Sequence, residues 1–251
     1  MTDIEIIEDL AVTIDVDWMP DFMIDILAHE LLMHEVKTTW FITHTSLAIE
    51  RLKDRSDIFE LGIHPNFLAG SSHGNTEDEV MCQVKELLPD AVSMRTHGLY
   101  QSSGFYYKVA RDYNIKIDAS ILLPYSPGIV PHKFEGKAVE IVRIPCFWED
   151  DLNMYSSTPL WHMDDTRLLR PGLKIFNFHP AHVVLNSIEM KCYEYLKSQV
   201  SVAKWHPEFI AEHINKKFKG TGVLFKNLVA YLAHTGKSRR MIDIYEEFHK
   251  L

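Results

Sequence analysis

A parallel α/β fold, built as an open sheet or a barrel, is predicted by three observations. Short apolar or β-branched runs alternate along the 251 residues with segments of helical spacing. No repeat, low-complexity tract or Pro/Gly/Ser-rich linker divides the chain, so residues 1–251 read as one domain. Polar residues then fall at or just past the ends of successive predicted strands: Asp15 and Asp17, His64, Arg95 and His97, Asp118, and His179. Alternating β and α units imply a parallel sheet covered by helices. In βα barrels the C-terminal strand ends converge on one face, where sites are built.

The elements follow in order. Leu10-Ala11-Val12 is apolar and too short for a helix, hence a buried strand. Pro20 and Asp21 suit a helix start, and Ile24, Leu27, Ala28 and Leu31 continue at helical spacing. The run 37–43 (KTTWFIT) is β-branched and aromatic, hence a strand. A short helix is expected over 46–53 and a strand over 58–63, which runs into His64-Pro65-Asn66. Thr76 and Glu79 have capping-box spacing at the start of a helix over 76–88. Four more strands are expected over 91–95, 115–118, 138–145 and 173–178, with a helix over 102–114 between the first two. From Ser187 onward the chain reads as mostly helical.

The totals exclude several classes of function. A net charge of -9 argues against a nucleic-acid backbone or an anionic membrane as general partner. No stretch approaches the ~18 consecutive apolar residues of a spanning helix. The acidic start Met1-Thr2-Asp3-Ile4-Glu5 lacks the layout of a secretory signal, so a cytoplasmic location is expected. Cys82, Cys146 and Cys192 are widely spaced and suit buried, reduced thiols.

Asp15 and Asp17 carry the most chemistry. Two residues apart on an extended chain, they point the same way. Two like charges on one face repel unless a cation sits beside them, so a divalent metal is expected, one Asp binding it and the other acting as a base. Taken singly, the remaining strand-end residues suit helix capping, structural hydrogen bonds or ion pairs equally well. Their order is what distinguishes them.

Thr13-Ile14-Asp15-Val16-Asp17, Glu60-Leu61-Gly62-Ile63-His64, Met94-Arg95-Thr96-His97-Gly98, Lys116-Ile117-Asp118-Ala119-Ser120 and Asn177-Phe178-His179 follow one another in the order of five family motifs. The sequence resembles the polysaccharide deacetylase superfamily, the NodB-homology carbohydrate esterases, over about residues 8–235. The resemblance implies a distorted (β/α) barrel of about seven parallel strands. It makes Asp17 a metal ligand and Asp15 the catalytic base. The metal would acidify a water to a pKa near ~7, and Asp15 would take its proton. A backbone N–H near Gly98 would stabilise the oxyanion, and His179 would protonate the departing amine. Arg95 would orient Asp15, and Asp118 would support the Arg or the acid His.

The second motif departs from the family. The family supplies two metal-binding His four residues apart, and position 68 here is Leu68. The segment instead offers His73, on a loop with Gly70 and Gly74 that can fold back toward His64. His97 is the competitor, and the expectation favours Asp17, His64 and His73 as ligands. Asp, His, His and water suit zinc. His97, Gly98 and Trp148 are then expected to face the substrate. Phe147, Trp148 and Trp161 suit either a saccharide-stacking rim or core filling. Glu149, Asp150 and Asp151 read as a solvated turn.

The resemblance implies de-N-acetylation of an N-acetylated sugar. A soluble or lipid-linked precursor of a cell-surface polysaccharide is the expected substrate. Alternatives are hydrolysis of another non-peptide C–N bond, such as a cyclic amide or ureide, and a non-catalytic saccharide-binding module.

Overall fold

The computed structural model describes residues 7, 9–136 and 139–250. Its first strand, β1 (Leu10–Asp15), is buried throughout. Helix α1 (Asp21–Met33) follows, burying Met23, Ile24, Leu27, Ala28 and Leu31 along the expected stripe. Then come β2 (Thr38–Ile42), α2 (Leu47–Lys53) and β3 (Phe59–Ile63). Ser46 caps α2 by accepting the Ile49 N–H. Helix α3 (Glu77–Leu87) starts with the expected capping box, in which Thr76 Oγ1 accepts from Glu79 N–H at 3.2 Å and Glu79 Oε2 accepts from Thr76 N–H at 3.2 Å. Two-residue β4 (Ser93–Met94) and β5 (Ile117–Asp118) flank α4 (Ser103–Tyr113).

The seven expected strands are present, completed by β7 (Val139–Arg143) and β9 (Lys174–Phe178); Ala138, where the penultimate strand was expected to begin, lies outside the described residues. Two more strands join them: β6 (His132–Gly136), antiparallel to β7, and β8 (Trp148–Glu149) beside β9. The order is β6-β7-β5-β4-β3-β2-β1-β9-β8, parallel except at β6. Helices α5 (Asp150–Tyr155) and α6 (Pro180–Leu185) begin directly after β8 and after His179. The C-terminal part is helical as expected: α7 (Met190–Gln199), α8 (Pro207–Ala211), α9 (Thr221–Thr235) and α10 (Met241–Phe248). No described helix is long and apolar enough to cross a membrane.

The sheet is curled. Arg95 directly follows β4, which stands three strands away from β1. At ~4.8 Å per strand a flat sheet would separate them by about 14 Å, beyond the reach of an Arg side chain. Arg95 Nη1 nevertheless donates to Asp15 Oδ1 at 3.2 Å. The stretch between β7 and β8 draws the two sides together. Ile144 N–H donates to Asp118 O at 2.9 Å and Cys146 N–H to Ile121 O at 2.7 Å, while Phe147 N–H donates to Ile175 O at 3.0 Å on the other side. This curl produces the incomplete, distorted barrel and sets β8 against β9 at its mouth.

In-register neighbours of a parallel sheet face the same side, and alternate residues face opposite sides. On β9, Phe176 and Phe178 turn outward, with Phe178 packed 5.2 Å from Phe225 of α9. Asn177 turns inward to Thr13, Asp15 and Arg95. Trp148 packs outward on Phe176 and Phe178 at 5.3 and 4.9 Å and is 1% exposed. It fills the core, as does buried Phe147, so the expected stacking rim loses both residues.

Candidate active site

The strand ends gather the polar residues at one mouth of the barrel. Asp17 and Trp18 both adopt left-handed backbone, with φ of 48° and 56°. Two consecutive non-glycine residues there store strain, a feature concentrated at functional sites. The turn brings Asp17 Oδ1 to 3.2 Å from His64 Nε2 and 3.1 Å from His97 Nδ1. The two imidazole nitrogens are 3.3 Å apart. His64 Nδ1–H donates to the Arg95 carbonyl at 2.7 Å, which fixes the tautomer and leaves Nε2 as a lone pair aimed at the cluster. His97 is delivered by a tight turn through Gly98, at φ 64°.

This triangle fits a metal ion. A tetrahedral ion with bonds of ~2.0–2.1 Å separates its ligand atoms by about 3.3–3.4 Å, close to the spacing of these three atoms. Burial would raise the Asp17 pKa, but the surrounding imidazoles of His64, His97 and His179 outweigh it and hold Asp17 well below the usual carboxylate range. Burial likewise opposes charge on His97, and the Asp17 carboxylate outweighs it, raising the His97 pKa.

His73 is not part of the triangle. Its Nε2–H donates to Thr43 O at 2.7 Å and its Nδ1 accepts the Asn66 N–H at 3.2 Å. Both ring nitrogens are committed to backbone, so His73 pins the loop that follows His64. The expected order of the two histidines is thus corrected: His97, not His73, stands with Asp17 and His64. Trp18 lies between them, 5.5 Å edge-on from His97 and 5.2 Å from His73.

Asp15 lies beneath the triangle. Its Oδ1 accepts from Arg95 Nη1, and its Oδ2 accepts from Asn177 Nδ2 at 2.9 Å. The same Arg95 nitrogen also donates to Thr13 Oγ1 at 2.8 Å and to Asn177 Oδ1. Arg95 is 1% exposed, so this network fixes the Asp15 carboxylate rigidly. Asp15 Oδ2 sits 3.8 Å from His64 Nε2 and 3.9 Å from His179 Nε2, between the triangle and the strand-end His179.

His179 is oriented by acids expected from the sequence to form only a solvated turn. Its Nδ1–H donates to Asp150 Oδ1 at 2.6 Å, and its backbone N–H donates to Asp150 Oδ2 at 2.8 Å. Asp150 is 0% exposed, so the expected solvated turn is a buried support instead. One turn along α6, His182 Nε2 pairs with Asp151 Oδ1 at 2.9 Å. Burial opposes charge on His179, but Asp150 and Asp151 outweigh it and raise its pKa well above the usual range.

Asp118 supports neither Arg95 nor His179, and that expectation is also corrected. Its Oδ2 accepts from Arg143 Nε at 2.8 Å, and its Oδ1 accepts the Ser120 N–H at 3.1 Å. Arg143 in turn binds Tyr106 OH at 2.6 Å and Gln101 Oε1 at 2.8 Å. The partner exchange follows from β8, which seats Asp150 directly beside the end of β9.

Comparison with known proteins identifies the family. A family model described as WbmS-like polysaccharide deacetylase matches residues 12–197. The chain belongs to this family. It is accordingly a hydrolytic polysaccharide N-deacetylase. A crystal structure from Bordetella bronchiseptica, described as a polysaccharide deacetylase involved in O-antigen biosynthesis, is 28% identical to it. The match covers 88% of this chain and 89% of that one, with a TM-score of 0.76. A peptidoglycan deacetylase from Bacillus subtilis is 8% identical, with coverage of 96% and 93% and a TM-score of 0.47. A carbohydrate-esterase domain of a multidomain xylanase, from the hindgut metagenome of Trinervitermes trinervoides, is 12% identical, with coverage of 96% and 90% and a TM-score of 0.46. No curated protein matches the chain.

Proposed function

We propose that this deacetylase is metal-dependent and removes the acetyl group from an N-acetylated sugar of a cell-surface polysaccharide precursor, free or lipid-linked. The observation that carries the reading is the triangle of Asp17, His64 and His97 placed against Asp15 and His179. Asp17 Oδ1, His64 Nε2 and His97 Nδ1 would hold the ion, and an Asp–His–His set suits zinc. When bound, the ion supplies Lewis-acid polarisation of the acetyl carbonyl and acidifies a water.

The chain's own residues do the rest. Asp15 takes a proton from the attacking water, its carboxylate aimed by Arg95 and Asn177. His179 carries a proton on Nε2, facing Asp15 and Asp17, and gives it to the departing amine. Asp150 occupies Nδ1, so the ring can present only Nε2 to the substrate. Gly98, beside His97 on the same turn, is the expected source of a backbone N–H for the oxyanion. The relationship to the Bordetella protein supports an O-antigen-type precursor as substrate.

Acetate release from N-acetylated sugars by zinc- or cobalt-loaded protein tests the reading. Asp15→Asn should lower turnover by about 10³-fold while the metal is retained. Loss of the metal in this variant, or undiminished turnover, would contradict the assigned roles.

A further inference from the structure

One acidic side chain at the barrel mouth takes no hydrogen bond from any described residue. Glu149 ends β8, and its register partner on β9 is Asn177, whose own partner on β1 is Thr13. Thr13 and Asn177 both turn inward against Arg95, so Glu149 faces the barrel interior as well. There an oxygen of Glu149, an oxygen of Asp151 and a ring nitrogen of His179 lie within 4.8 Å of one another. Of the neighbouring acids, Asp15 accepts from Arg95 and Asn177, Asp150 accepts from His179, and Asp151 is ion-paired with His182. Glu149 takes no hydrogen bond from any described residue. Buried Arg95 Nη2 and Asp151 Oδ1 likewise have no hydrogen-bond partner among the described residues.

A half-buried carboxyl that no protein group serves is open to a donor from a ligand. Such a group calls for an explanation, and at an active-site mouth a substrate contact supplies one. We propose that Glu149 contacts the substrate and reads a hydroxyl on the ring carbon next to the one bearing the acetamido group. This deepens the deacetylase reading above and rests on it.

The geometry selects that group. The departing nitrogen must lie within hydrogen-bond reach of His179. A hydroxyl one C–C bond further on then falls inside the space shared by His179 and Glu149. The electrostatics select its chemistry. Burial pushes the Glu149 carboxyl up to about 7, so near neutral pH it both donates and accepts, matching a hydroxyl. A carboxylate or phosphate at the same position would meet the Asp15 and Asp151 carboxylates and be repelled.

The test measures acetate release by zinc-loaded protein from methyl glycosides of N-acetylated gluco-, galacto- and manno-configured amino sugars. Each is paired with a deoxy counterpart lacking the vicinal hydroxyl. Wild type should favour the hydroxylated sugar by about 10- to 100-fold in kcat/KM. Glu149→Ala should bring the pair within about threefold by lowering only the hydroxylated member, and Glu149→Gln, whose amide donates and accepts, should restore part of the preference. If the Ala variant does not fold, Glu149→Met gives the same reading without a hydrogen-bonding group. An equal loss on both sugars, or an unchanged preference, would overturn the inference while leaving the deacetylase reading standing. Wild type releasing acetate from none of the sugars would overturn both.

Discussion

The mouth of the barrel holds two polar clusters built on opposite plans. Asp17, His64 and His97 come from three separate strand ends and turn their lone-pair atoms toward one another. Asp150 and Asp151 come from the start of α5, His179 and His182 from the junction of β9 with α6 and from α6 itself, and the four alternate acid with base. The first converges on a point that a cation would fill; in the second each acid already faces an imidazole. Opposite charges in the second hold a proton on His179, whereas the convergent donors of the first suit a metal. Separate partners for each cluster let many titratable groups share one mouth without losing their distinct roles. Asp15 lies between the clusters and is fixed by Arg95 and Asn177 rather than by either one.

The sharpest break between the clusters comes from the two competing histidines. His97→Ala should remove the bound metal and lower turnover by about 10³-fold or more, because it deletes one of three donors. His73→Ala should keep the metal at full stoichiometry, since both its ring nitrogens serve backbone. Elemental analysis of the two purified variants checks this, and the reverse pattern would restore the sequence expectation.

A smaller effect is expected in the second cluster. Asp150→Asn should lower kcat by about 10- to 100-fold with the metal retained, because His179 loses the partner that holds its Nδ1 proton. Single-turnover acetate release together with metal content separates this outcome from loss of the first cluster.

The smallest effect is in stability. Glu149 has an ordinary pKa near ~4.3 when unfolded and about 7 in the folded chain, raised by burial. Below the unfolded value the group is neutral in both states and has no effect. As pH rises, the unfolded chain ionises first, so folded stability falls until about pH 7 and then levels off. Glu149→Gln should therefore stabilise the protein at pH 8 by on the order of 1–2 kcal/mol, allowing for partial exposure, and leave it unchanged at pH 4. Urea titrations at the two pH values check the sign.

The contrast between the clusters also tracks what the sequence reveals. Asp15, Asp17, His64, Arg95, His97 and His179 stand out because each follows a run of recognisable strand residues, and the structure brings all six to one mouth. Asp150 and Asp151 do not, because β8 is two residues long and too short to show any alternation. Asn177 is hidden for another reason: within β9 it is one polar residue in an otherwise largely apolar strand, and only the register against Thr13 gives it a role. The exchange of Asp118 for Asp150 and of His73 for His97 depends on which loops the barrel's curl brings together. That is a property of long-range pairing, which local pattern does not carry. Trp148 was ambiguous because an aromatic residue suits a rim and a core equally, and the inward or outward phase of β8 decides it.

The proposed chemistry depends on the first cluster holding the ion. Anomalous diffraction from a zinc-soaked crystal tests this most directly. The predicted result is one peak within ~2.0–2.2 Å of Asp17 Oδ1, His64 Nε2 and His97 Nδ1, with His73 still bonded to Thr43. A peak held instead by Glu149, Asp151 and His179, or one that draws His73 in place of His97, would contradict it.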